Sequence, residues 1–573
     1  MQFDIDINNQ IVAARKGETI KHVLDRIGIK VPTLCFMEGF SPTGSCRMCV
    51  VEVEGVAQLV PSCSYPVQEW MKVYTHSPRV IKARKTILEL LLASHPNDCL
   101  YCDRNGQCEL QDLAAELHVR ERKYRVKSAS VQIDKSCPGI ERDPAKCILC
   151  GRCIRVCDDV IGVGAIDIIG RGSNSRIGTA FNKGLNVDTC VKCGQCIQVC
   201  PTGALTEKQS FEKVIDALNN KDCFPVLQFS PTLPASIAEA FNIKASKDIL
   251  NILRAALKKT GFRQVFDTSM AADLTLMEEA SGFIDRFNKH EPLPLFTSCC
   301  PSWVKFIENS KPEYLKNLSS IRSPQQIMGR LIKQYITSSA GQKPENVYVV
   351  SVMPCTAKKD EALHDHIKDS DTPFVDAVIT TRELIQIFKL LGIDFSALEP
   401  EPKDPAFSTR SSAGKLFGVS GGHLEGLLRT IHFMMTGQEM DPLKIHDLRG
   451  LKSRKEARIR IGKQILNVVS VSGLANVKTL LDEIETGGND IHIVEVMACP
   501  FGCINGGGQQ TGRDEKKLKT RMKAIYDVDE EEIIKVAHKN PIMTDLYEKF
   551  LAVPNSSRNK ELLHISRLTG QNQ

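Results

Sequence analysis

The sequence predicts a multidomain chain of mixed α/β and α+β architecture. Cysteine is the unusual residue: the chain has 22, and most precede residue 201, in a stretch of short, turn-rich segments. From residue 210 onward, nearly unbroken apolar runs alternate with helical patterns, which is typical of buried parallel strands. The clearest of these runs are "FPVLQFS", "PLFTS", "NVYVVSVM" and "IHIVEVM". A length of 573 residues allows about three to five domains.

Four domains are predicted from these changes along the chain. The first begins with two strand-like runs, "FDIDI" and "IVAARKG", and continues with the helical "ETIKHVLDRIG", which indicates a small mixed sheet with one helix. The second is helical in "VIKARKTILELLLAS" and "CELQDLAAELHV". The third is rich in cysteine, and the fourth is the long α/β part. Their predicted bounds are 1–80, 81–125, 126–209 and 210–573.

Composition indicates a metal-binding chain rather than a secreted one. The N-terminus lacks a basic segment followed by an apolar one, so no signal peptide is expected. No uncharged apolar run reaches the length that a membrane-spanning helix needs. A cysteine-rich chain that is not exported favours metal over disulfides and predicts a cytoplasmic location. The net charge of +6 counts every thiol as neutral, so it gives no reason to expect nucleic acid as a partner.

The strongest motif is an internal echo, "CILCGRCIRVC" against "CVKCGQCIQVC". Both runs have the spacing C-x2-C-x2-C-x3-C of bacterial two-cluster ferredoxins, in which the fourth cysteine of each run ligates the other cluster. Two 4Fe–4S clusters are therefore predicted, and structural zinc, the alternative, rarely uses two interleaved runs. One cluster is assigned to Cys147, Cys150, Cys153 and Cys200, and the other to Cys157, Cys190, Cys193 and Cys196.

Two earlier blocks also have metal-ligand spacing. In the first, one C-x2-C pair stands between two outlying cysteines, which favours a 2Fe–2S cluster over zinc. The second supplies three thiols and one imidazole, a set that zinc also accepts, but its place between iron–sulfur blocks favours a third 4Fe–4S cluster. The first block is Cys35, Cys46, Cys49 and Cys63, and the second is His95, Cys99, Cys102 and Cys108.

Five cysteines remain in the long C-terminal part: Cys299, Cys300, Cys355, Cys499 and Cys503. Four of them follow the ends of apolar runs, and in open α/β sheets ligands bind beyond the carboxyl ends of strands. Any one of them could be an ordinary core cysteine. Five gathered into three short motifs, each with a neighbouring proline, favour a common site. Four thiolates suffice for one further cubane, which leaves one cysteine for another role.

The three motifs "TSCCPSW", "MPCTAKKDE" and "EVMACPFGCINGGGQ" resemble the signature motifs of iron–iron (FeFe) hydrogenases, in the order of that family. The resemblance implies a two-lobed α/β catalytic domain and an H-cluster. That cofactor is a 4Fe–4S cubane linked by one cysteine to a two-iron subsite with CO, cyanide and azadithiolate. By motif position Cys300, Cys355, Cys499 and Cys503 would hold the cubane, and Cys503 would bridge to the two irons. Cys299 would stay free as an acid and base.

The resemblance also implies roles for further residues. Lys358 would hydrogen-bond a cyanide ligand, although without the motif it would be a solvated lysine. A second group would line the cofactor pocket: Pro231, Thr232, Gln325, Met353, Phe417 and Met497. For the methionines, core packing is the alternative.

The proton path of the family would run from Cys299 through Glu279 and Ser319 to a second glutamate and then to Arg286. Glycine stands at position 282, where that second glutamate is expected. Since positions 279, 282 and 286 share one helix face, the gap lies within the path. Either water or another acid, such as Asp285, would bridge it.

Two further positions depart from the family, and two cysteines match no ligand set. Phe501 stands where glycine is usual and would exclude water from the cubane. Ser230 stands where alanine is common and would add a hydrogen bond near the azadithiolate. Cys137 and Cys223 are interpreted as ordinary cysteines.

The N-terminal third resembles the cluster-bearing part of the large peripheral subunit of NADH:quinone oxidoreductase, most closely in "HPNDCLYCDRNGQCELQD". This resemblance implies a β-grasp-like 2Fe–2S domain and a partner subunit that binds flavin and NADH, since no nucleotide motif stands out here. Ferredoxin is the alternative electron partner. The predicted function is reversible hydrogen oxidation and proton reduction, with maturation enzymes that deliver the two-iron subsite. Two rivals are a hydrogen sensor and the hydrogenase-like iron–sulfur assembly protein.

Overall fold

The computed structural model describes residues 2–124, 132–187, 189–243, 249–297, 299–364, 368–369, 372–402, 407, 409–487, 490–512 and 514–565. In this part of the chain, no helix has both the length and the apolar character required to cross a membrane.

The N-terminal sheet is mixed and carries one helix, Ile20–Arg26, as the sequence predicts. The helix begins after Thr19, whose hydroxyl caps the first turn, and its buried Ile20 and Leu24 pack on the sheet. One neighbouring pair of strands is parallel and the other pairs are antiparallel. The strand order is Gln10–Arg15, Gln2–Ile7, Lys72–Tyr74, Val50–Val53 and Val60–Pro61.

Two helices follow, close to their predicted positions. Pro78–Ser94 starts with a proline in its first turn after the Ser77 cap and ends before "HP", because the residue preceding proline disfavours helix. Its buried Arg84 donates a 2.8 Å hydrogen bond to the carbonyl of Val50, which fixes the helix on the first sheet. A short 3-10 turn, Cys99–Tyr101, and the helix Glu109–Glu116 complete the segment.

The two echoing cysteine runs have the same backbone conformation. Leu149 and Gly151 in the first, and Lys192 and Gly194 in the second, all have φ between 53° and 72°. These left-handed residues turn the chain sharply, so that each run wraps back before its short helix. The remaining elements are Ile140–Arg142, Pro144–Lys146, Arg152–Arg155, Val156–Val160, Asp167–Ile169, Gly172–Asn174, Arg176–Gly178, Ala180–Asn182, Gln195–Val199 and Leu205–Glu207.

The first sheet of the C-terminal part is wholly parallel and four-stranded, in the order Gln264–Asp267, Phe224–Phe229, Val347–Met353, Ala377–Thr380. Two of these strands coincide with predicted runs, whereas the two edge strands are too short to be distinguished in the sequence. The side chains of the central pair are buried almost throughout, which explains their unbroken apolar character.

The second sheet has the order Leu295–Phe296, Ile493–Met497, Gln464–Ser472, Arg454–Ile461. The first three strands are parallel, and the last two form an antiparallel hairpin. The predicted run "PLFTS" contributes only two ladder residues. The hairpin is not among the predicted parallel strands, because alternating charges on Arg454–Ile461 place one face in solvent.

Helices cover both sheets and connect them. The longest, Ser269–Asn288, is buried along most of its length and touches Gly422–Thr436 and Pro324–Ala340. The other helices of this part are Phe211–Asn219, Leu233–Ala240, Ile249–Lys259, Pro301–Ser310, Ala357–Glu361, Thr381–Leu390, Ser412–Lys415, Leu474–Glu485, Glu515–Glu531, Pro541–Lys549 and Ser557–Leu563. Remaining short elements are Pro312–Asn317, Pro344–Asn346, Lys368–Asp369, Thr372–Pro373, Phe395–Ala397, Leu416–Gly418, Pro442–Leu448, Cys503–Asn505 and Ala537–Lys539.

Candidate active site

Four distal cysteines converge between the two sheets. Cys300 and Cys499 lie beyond strands of the second sheet, and Cys355 lies beyond a strand of the first. Burial raises the pKa of the Cys503 thiol well above its usual value, and the nearby thiols of Cys355, Cys300, Cys499 and Cys299 raise it further. All five distal cysteines therefore lie in one neighbourhood.

The loop after Cys503 packs backbone against backbone. A side chain at Gly506 would lie 2.0 Å from the carbonyl oxygen of Pro354, and one at Gly508 would lie 2.9 Å from the nitrogen of Cys355. Only glycine permits this approach. In the described residues no three His, Cys, Asp or Glu side chains are arranged to hold a single metal ion. A cubane does not need such an arrangement, because each of its irons takes only one thiolate.

Cys299 makes a contact that its neighbour Cys300 lacks. Its sulfur lies 3.7 Å from Nδ1 of His423, and Nε2 of the same ring lies 2.5 Å from a carboxylate oxygen of Glu279. His423 and Glu279 are both buried. The structure thus joins the predicted free cysteine to the predicted glutamate through a histidine.

Beyond Glu279 the path reaches a surface cavity of about 160 Å³. Its lining includes Glu279, Gly282, Asp285, Arg286 and Ser319. A Cβ added at position 282 would meet no atom within 4 Å. The cavity is polar and far larger than one water molecule needs, so water can span the gap left by the missing glutamate.

Gly282→Glu is therefore expected to change hydrogen turnover by less than about tenfold, since removal or restoration of a limiting acid–base group typically changes rates about a hundredfold or more. Turnover and its pH profile would be compared with those of Gly282→Gln, which adds the same bulk without an acid. A large gain restricted to the glutamate variant would show that the gap limits proton transfer.

Lys358 is buried beside the cysteines and makes two 2.9 Å contacts with the carboxylate of Glu361. Burial alone would lower the pKa of its ammonium group, but the Glu361 carboxylate raises it above the usual value. Gln325 donates a 3.2 Å hydrogen bond to Glu361 and accepts a 3.0 Å one from Ser351. Glu361 thus fixes two of the predicted pocket residues.

The other predicted pocket residues are buried or partly buried, and Pro231 lines a separate cavity with Arg254 and Lys415. Thr232 is buried and shares a 3.1 Å hydrogen bond with the hydroxyl of Ser230. Ser230 is therefore turned toward Thr232. Met353, Phe417 and Met497 are buried, and Pro231 is partly buried.

Phe501 has φ of 65°, a backbone conformation that favours glycine. Its amide donates a 3.0 Å hydrogen bond to the hydroxyl of Ser472. The half-buried ring packs with Leu416, Val419 and Ile504. The ring accordingly covers one side of the loop between Cys499 and Cys503.

Phe501→Gly is expected to raise the potential of a cubane held by this loop by on the order of 60 mV, a tenfold change in a one-electron equilibrium. Removal of the ring admits water, and a more polar environment stabilises the extra negative charge of the reduced cluster. The measurement is a redox titration followed by electron paramagnetic resonance, together with the rate of inactivation by oxygen. Phe501→Leu, which keeps an apolar cover, is the control. Unchanged potential and oxygen sensitivity in Phe501→Gly would contradict this role for the ring.

The ferredoxin-like cysteines form two neighbouring groups of thiols, and their assignment to two clusters stays a prediction. Around Cys153, burial raises the thiol pKa, and Cys150, Cys200 and Cys147 raise it further. Around Cys193, the corresponding neighbours are Cys196, Cys190 and Cys157. The first group lines a common cavity at Cys147, Cys150, Cys153 and Cys200.

In the first block all four thiols interact. Cys35 contacts Cys46 and Cys63, and these contacts lower its pKa. Cys63 also contacts Cys49, which lowers the pKa of Cys49 to about 6. The donor set is therefore gathered at one point.

The ligands of the second block lie less close together than those of the first. Cys102 lies near Cys108, while Cys99 is exposed. Nδ1 of His95 is buried without a hydrogen-bond partner, which suits a nitrogen that binds a metal. A side chain at Gly203 would lie 2.7 Å from the sulfur of Cys102, so this block packs closely against the ferredoxin-like part.

Of the two cysteines outside the ligand sets, Cys137 is wholly buried and Cys223 is partly exposed. Burial raises the pKa of both thiols. Cys137 lies close to the predicted ligand Cys190.

The ferredoxin-like part meets the distal site directly. A side chain at Gly507 would lie 2.1 Å from the carbonyl oxygen of Cys193 and 2.6 Å from Cα of Gly194. Gln195 donates a 2.7 Å hydrogen bond to the carbonyl of Asn505, and Cys193 is near Cys499. One predicted accessory cluster and the predicted cubane are thus neighbours across a glycine contact.

Comparison with known proteins identifies the family. The family described as iron only hydrogenase large subunit, C-terminal domain, matches residues 224–507. The NADP-reducing hydrogenase subunit HndD of Solidesulfovibrio fructosivorans is 41% identical over 98% of each chain. This chain belongs to the iron–iron (FeFe) hydrogenase family. Iron hydrogenase 1 of Clostridium pasteurianum is 36% identical to this hydrogenase over 94% of each chain.

Other parts of this hydrogenase match families of their own. They are the 2Fe-2S iron-sulfur cluster binding domain (1–78), the NADH-ubiquinone oxidoreductase-G iron-sulfur binding region (84–123), the NADH-quinone oxidoreductase subunit 3 ferredoxin-like domain (137–206) and the iron hydrogenase small subunit (515–566). Among solved structures, [FeFe]-hydrogenase HydA1 from Chlamydomonas reinhardtii superposes with a TM-score of 0.56 and 32% identity. The match covers 62% of this chain and 97% of that one. The predicted family and hydrogenase function are confirmed.

The sequence interpretation missed His423. A lone histidine on a helix is usually a core residue, and no spacing relates position 423 to positions 279 and 299. Only the packing of Gly422–Thr436 against Ser269–Asn288 brings them together. The same applies to Gln195, whose role at the glycine contact has no motif.

Proposed function

We propose that this hydrogenase catalyses reversible hydrogen oxidation and proton reduction at an H-cluster held by Cys300, Cys355, Cys499 and Cys503. The observation that carries the proposal is the divergence of the two adjacent cysteines. Cys300 lies with the cubane ligands, whereas Cys299 faces His423 and Glu279. An H-cluster at these thiols supplies the centre at which hydrogen is split or formed.

The residues of the chain then handle the proton. Cys299 exchanges it with the buried chain that leads to Glu279 and Ser319, and water in the cavity carries it past Gly282 toward Arg286. Lys358 places a positive charge beside the cofactor ligands. The buried pocket residues limit the access of bulk water to this route.

Electrons are proposed to travel through four accessory clusters: one 2Fe–2S cluster and three 4Fe–4S clusters, on the ligands predicted from the sequence. Four domains with bounds 1–80, 81–125, 126–209 and 210–573 would carry these cofactors, the first with a β-grasp-like fold. The contact between Gly507 and Cys193 supports electron entry at the cubane from the ferredoxin-like domain.

The electron partner is proposed to be a separate subunit that binds flavin and NADH or NADPH. The name of HndD, an NADP-reducing hydrogenase subunit, and the NADH-linked families of the N-terminal third support this choice. Free ferredoxin is the alternative. Exposed iron–sulfur ligands such as Cys99 favour a reducing compartment, so we place the protein in the cytoplasm.

The test is anaerobic purification from the native source, followed by hydrogen assays with NADH, NADPH and reduced ferredoxin. Copurification of a flavin-binding subunit and NAD(P)H-driven hydrogen formation are expected. Activity with ferredoxin alone would overturn the partner but not the hydrogenase. Infrared bands of CO and cyanide without hydrogen turnover would instead indicate a sensor.

A further inference from the structure

We infer that His423 relays the proton between Cys299 and Glu279. Its two ring nitrogens join these side chains in one hydrogen-bonded chain. This inference rests on the proposed hydrogen turnover and assigns the first part of its proton route.

The position of the ring is fixed from several sides. His423 is fully buried in the first turn of Gly422–Thr436. The Glu495 carboxylate accepts hydrogen bonds of 2.9 Å from the amide of Gly421 and 3.1 Å from that of Leu424, so the start of the helix cannot shift freely. The ring of Phe417 stacks on His423 at 4.2 Å between centroids, with an angle of 17° between planes.

Each nitrogen of this ring has one functional neighbour. Nδ1 lies 3.7 Å from the sulfur of Cys299, and Nε2 lies 2.5 Å from one oxygen of Glu279. The other oxygen of Glu279 is buried without a hydrogen-bond partner. That oxygen remains available for the next step, toward the cavity that Glu279 also lines.

The surrounding charges suit a ring that gains and loses protons. Burial alone would lower the pKa of His423, but the Glu279 carboxylate and the Cys299 sulfur raise it well above its usual value. Glu495 is a second buried carboxyl group near the ring. The imidazolium form is therefore accessible during transfer.

The transfer balances within the three side chains. In the outward direction the S–H bond of Cys299 breaks as an N–H bond forms on Nδ1. The N–H bond on Nε2 breaks as an O–H bond forms on Glu279. One proton moves from sulfur to oxygen, no electron moves with it, and the ring ends with its hydrogen on Nδ1. An inward transfer reverses all four changes.

Two outward transfers in succession require the ring to turn or to exchange a proton elsewhere, and the stacked Phe417 opposes turning. An inward transfer returns the same hydrogen from Nδ1 to sulfur, so alternation of outward and inward transfers passes no label between D2 and water. D2 exchange and net hydrogen oxidation therefore both depend on the return of the ring hydrogen from Nδ1 to Nε2.

The test uses His423→Gln in the full, matured protein, since glutamine fills the space but cannot pass a proton between two ring nitrogens. D2 exchange and net turnover are both expected to fall by about a hundredfold. His432→Gln is the matched control, because His432 lies on the same helix and bonds the carbonyl of Gln438 at 2.9 Å, away from the site. If His423→Gln does not fold, as judged by iron content, His423→Phe keeps the stack with Phe417.

A second measurement does not depend on activity. In protein purified without the two-iron subsite, the carboxylate infrared band of Glu279, assigned by its loss in Glu279→Gln, should shift in His423→Gln and not in His432→Gln. An unshifted band, or D2 exchange in His423→Gln within about twofold of wild type, would overturn the inference. A wild-type protein with no hydrogen turnover would instead overturn the proposed function.

Discussion

Cys299→Ala is expected to lower hydrogen turnover by at least about a thousandfold while the protein keeps its iron and sulfide. General acid–base groups typically contribute about a hundredfold to ten-thousandfold, and Cys299 is the proposed first proton acceptor of the whole route. Its sulfur lies 3.7 Å from Nδ1 of His423, a contact that Cys300 lacks, while it stays close to Cys300 and Cys503. Loss of activity with intact clusters is therefore the predicted signature.

The measurement combines hydrogen evolution from reduced methyl viologen with iron and acid-labile sulfide counts. Cys223→Ala is the control, since Cys223 is partly exposed and belongs to no ligand set. Loss of four irons from Cys299→Ala would show that the roles of the two neighbouring cysteines are reversed. Unchanged turnover would show that the proton leaves by another route.

Gly507→Ala is expected to disconnect the accessory clusters from the active site. The added methyl carbon would lie 2.1 Å from the carbonyl oxygen of Cys193, so one backbone has to move away from the other. Overpacking of this kind typically costs about 1–3 kcal/mol, and we expect a small separation of the Gly507 loop from the ferredoxin-like part to relieve it. Electron transfer weakens steeply with distance.

Turnover driven by the physiological electron donor should therefore fall by about tenfold or more, while D2 exchange, which needs no external electrons, should persist. Gly329→Ala is the matched control, because it creates a similar clash, 2.5 Å from the carbonyl of Phe374, away from the cluster junction. Equal losses of exchange and donor-driven turnover in Gly507→Ala would indicate general unfolding instead.

The sequence predicted the parts of this protein that depend on local spacing. The two echoing cysteine runs need only short loops and left-handed turns to form their sites, and these turns occur at Gly151 and Gly194. The central strands Phe224–Phe229 and Val347–Met353 are buried on both faces, so their apolar runs were visible without any partner.

The remaining features depend on packing between distant segments. Short edge strands such as Ala377–Thr380 owe their conformation to the neighbouring ladder rather than to their own pattern. His423 and Glu279 approach only because two helices pack, and the cavity beside Gly282 exists only because several elements enclose it. The glutamate missing at position 282 was visible in the sequence, whereas the space that replaces it was not.

The two sheets of the catalytic part carry different cysteines beyond the ends of their strands. Cys355 continues a strand of one sheet, and Cys300 and Cys499 continue strands of the other. A cubane held by all of them is a cross-link between two halves of the domain, formed by segments that are far apart along the chain. Such a link closes long loops that are entropically unfavourable to close without it. Insertion of the proposed cubane would therefore stabilise the arrangement of the two sheets.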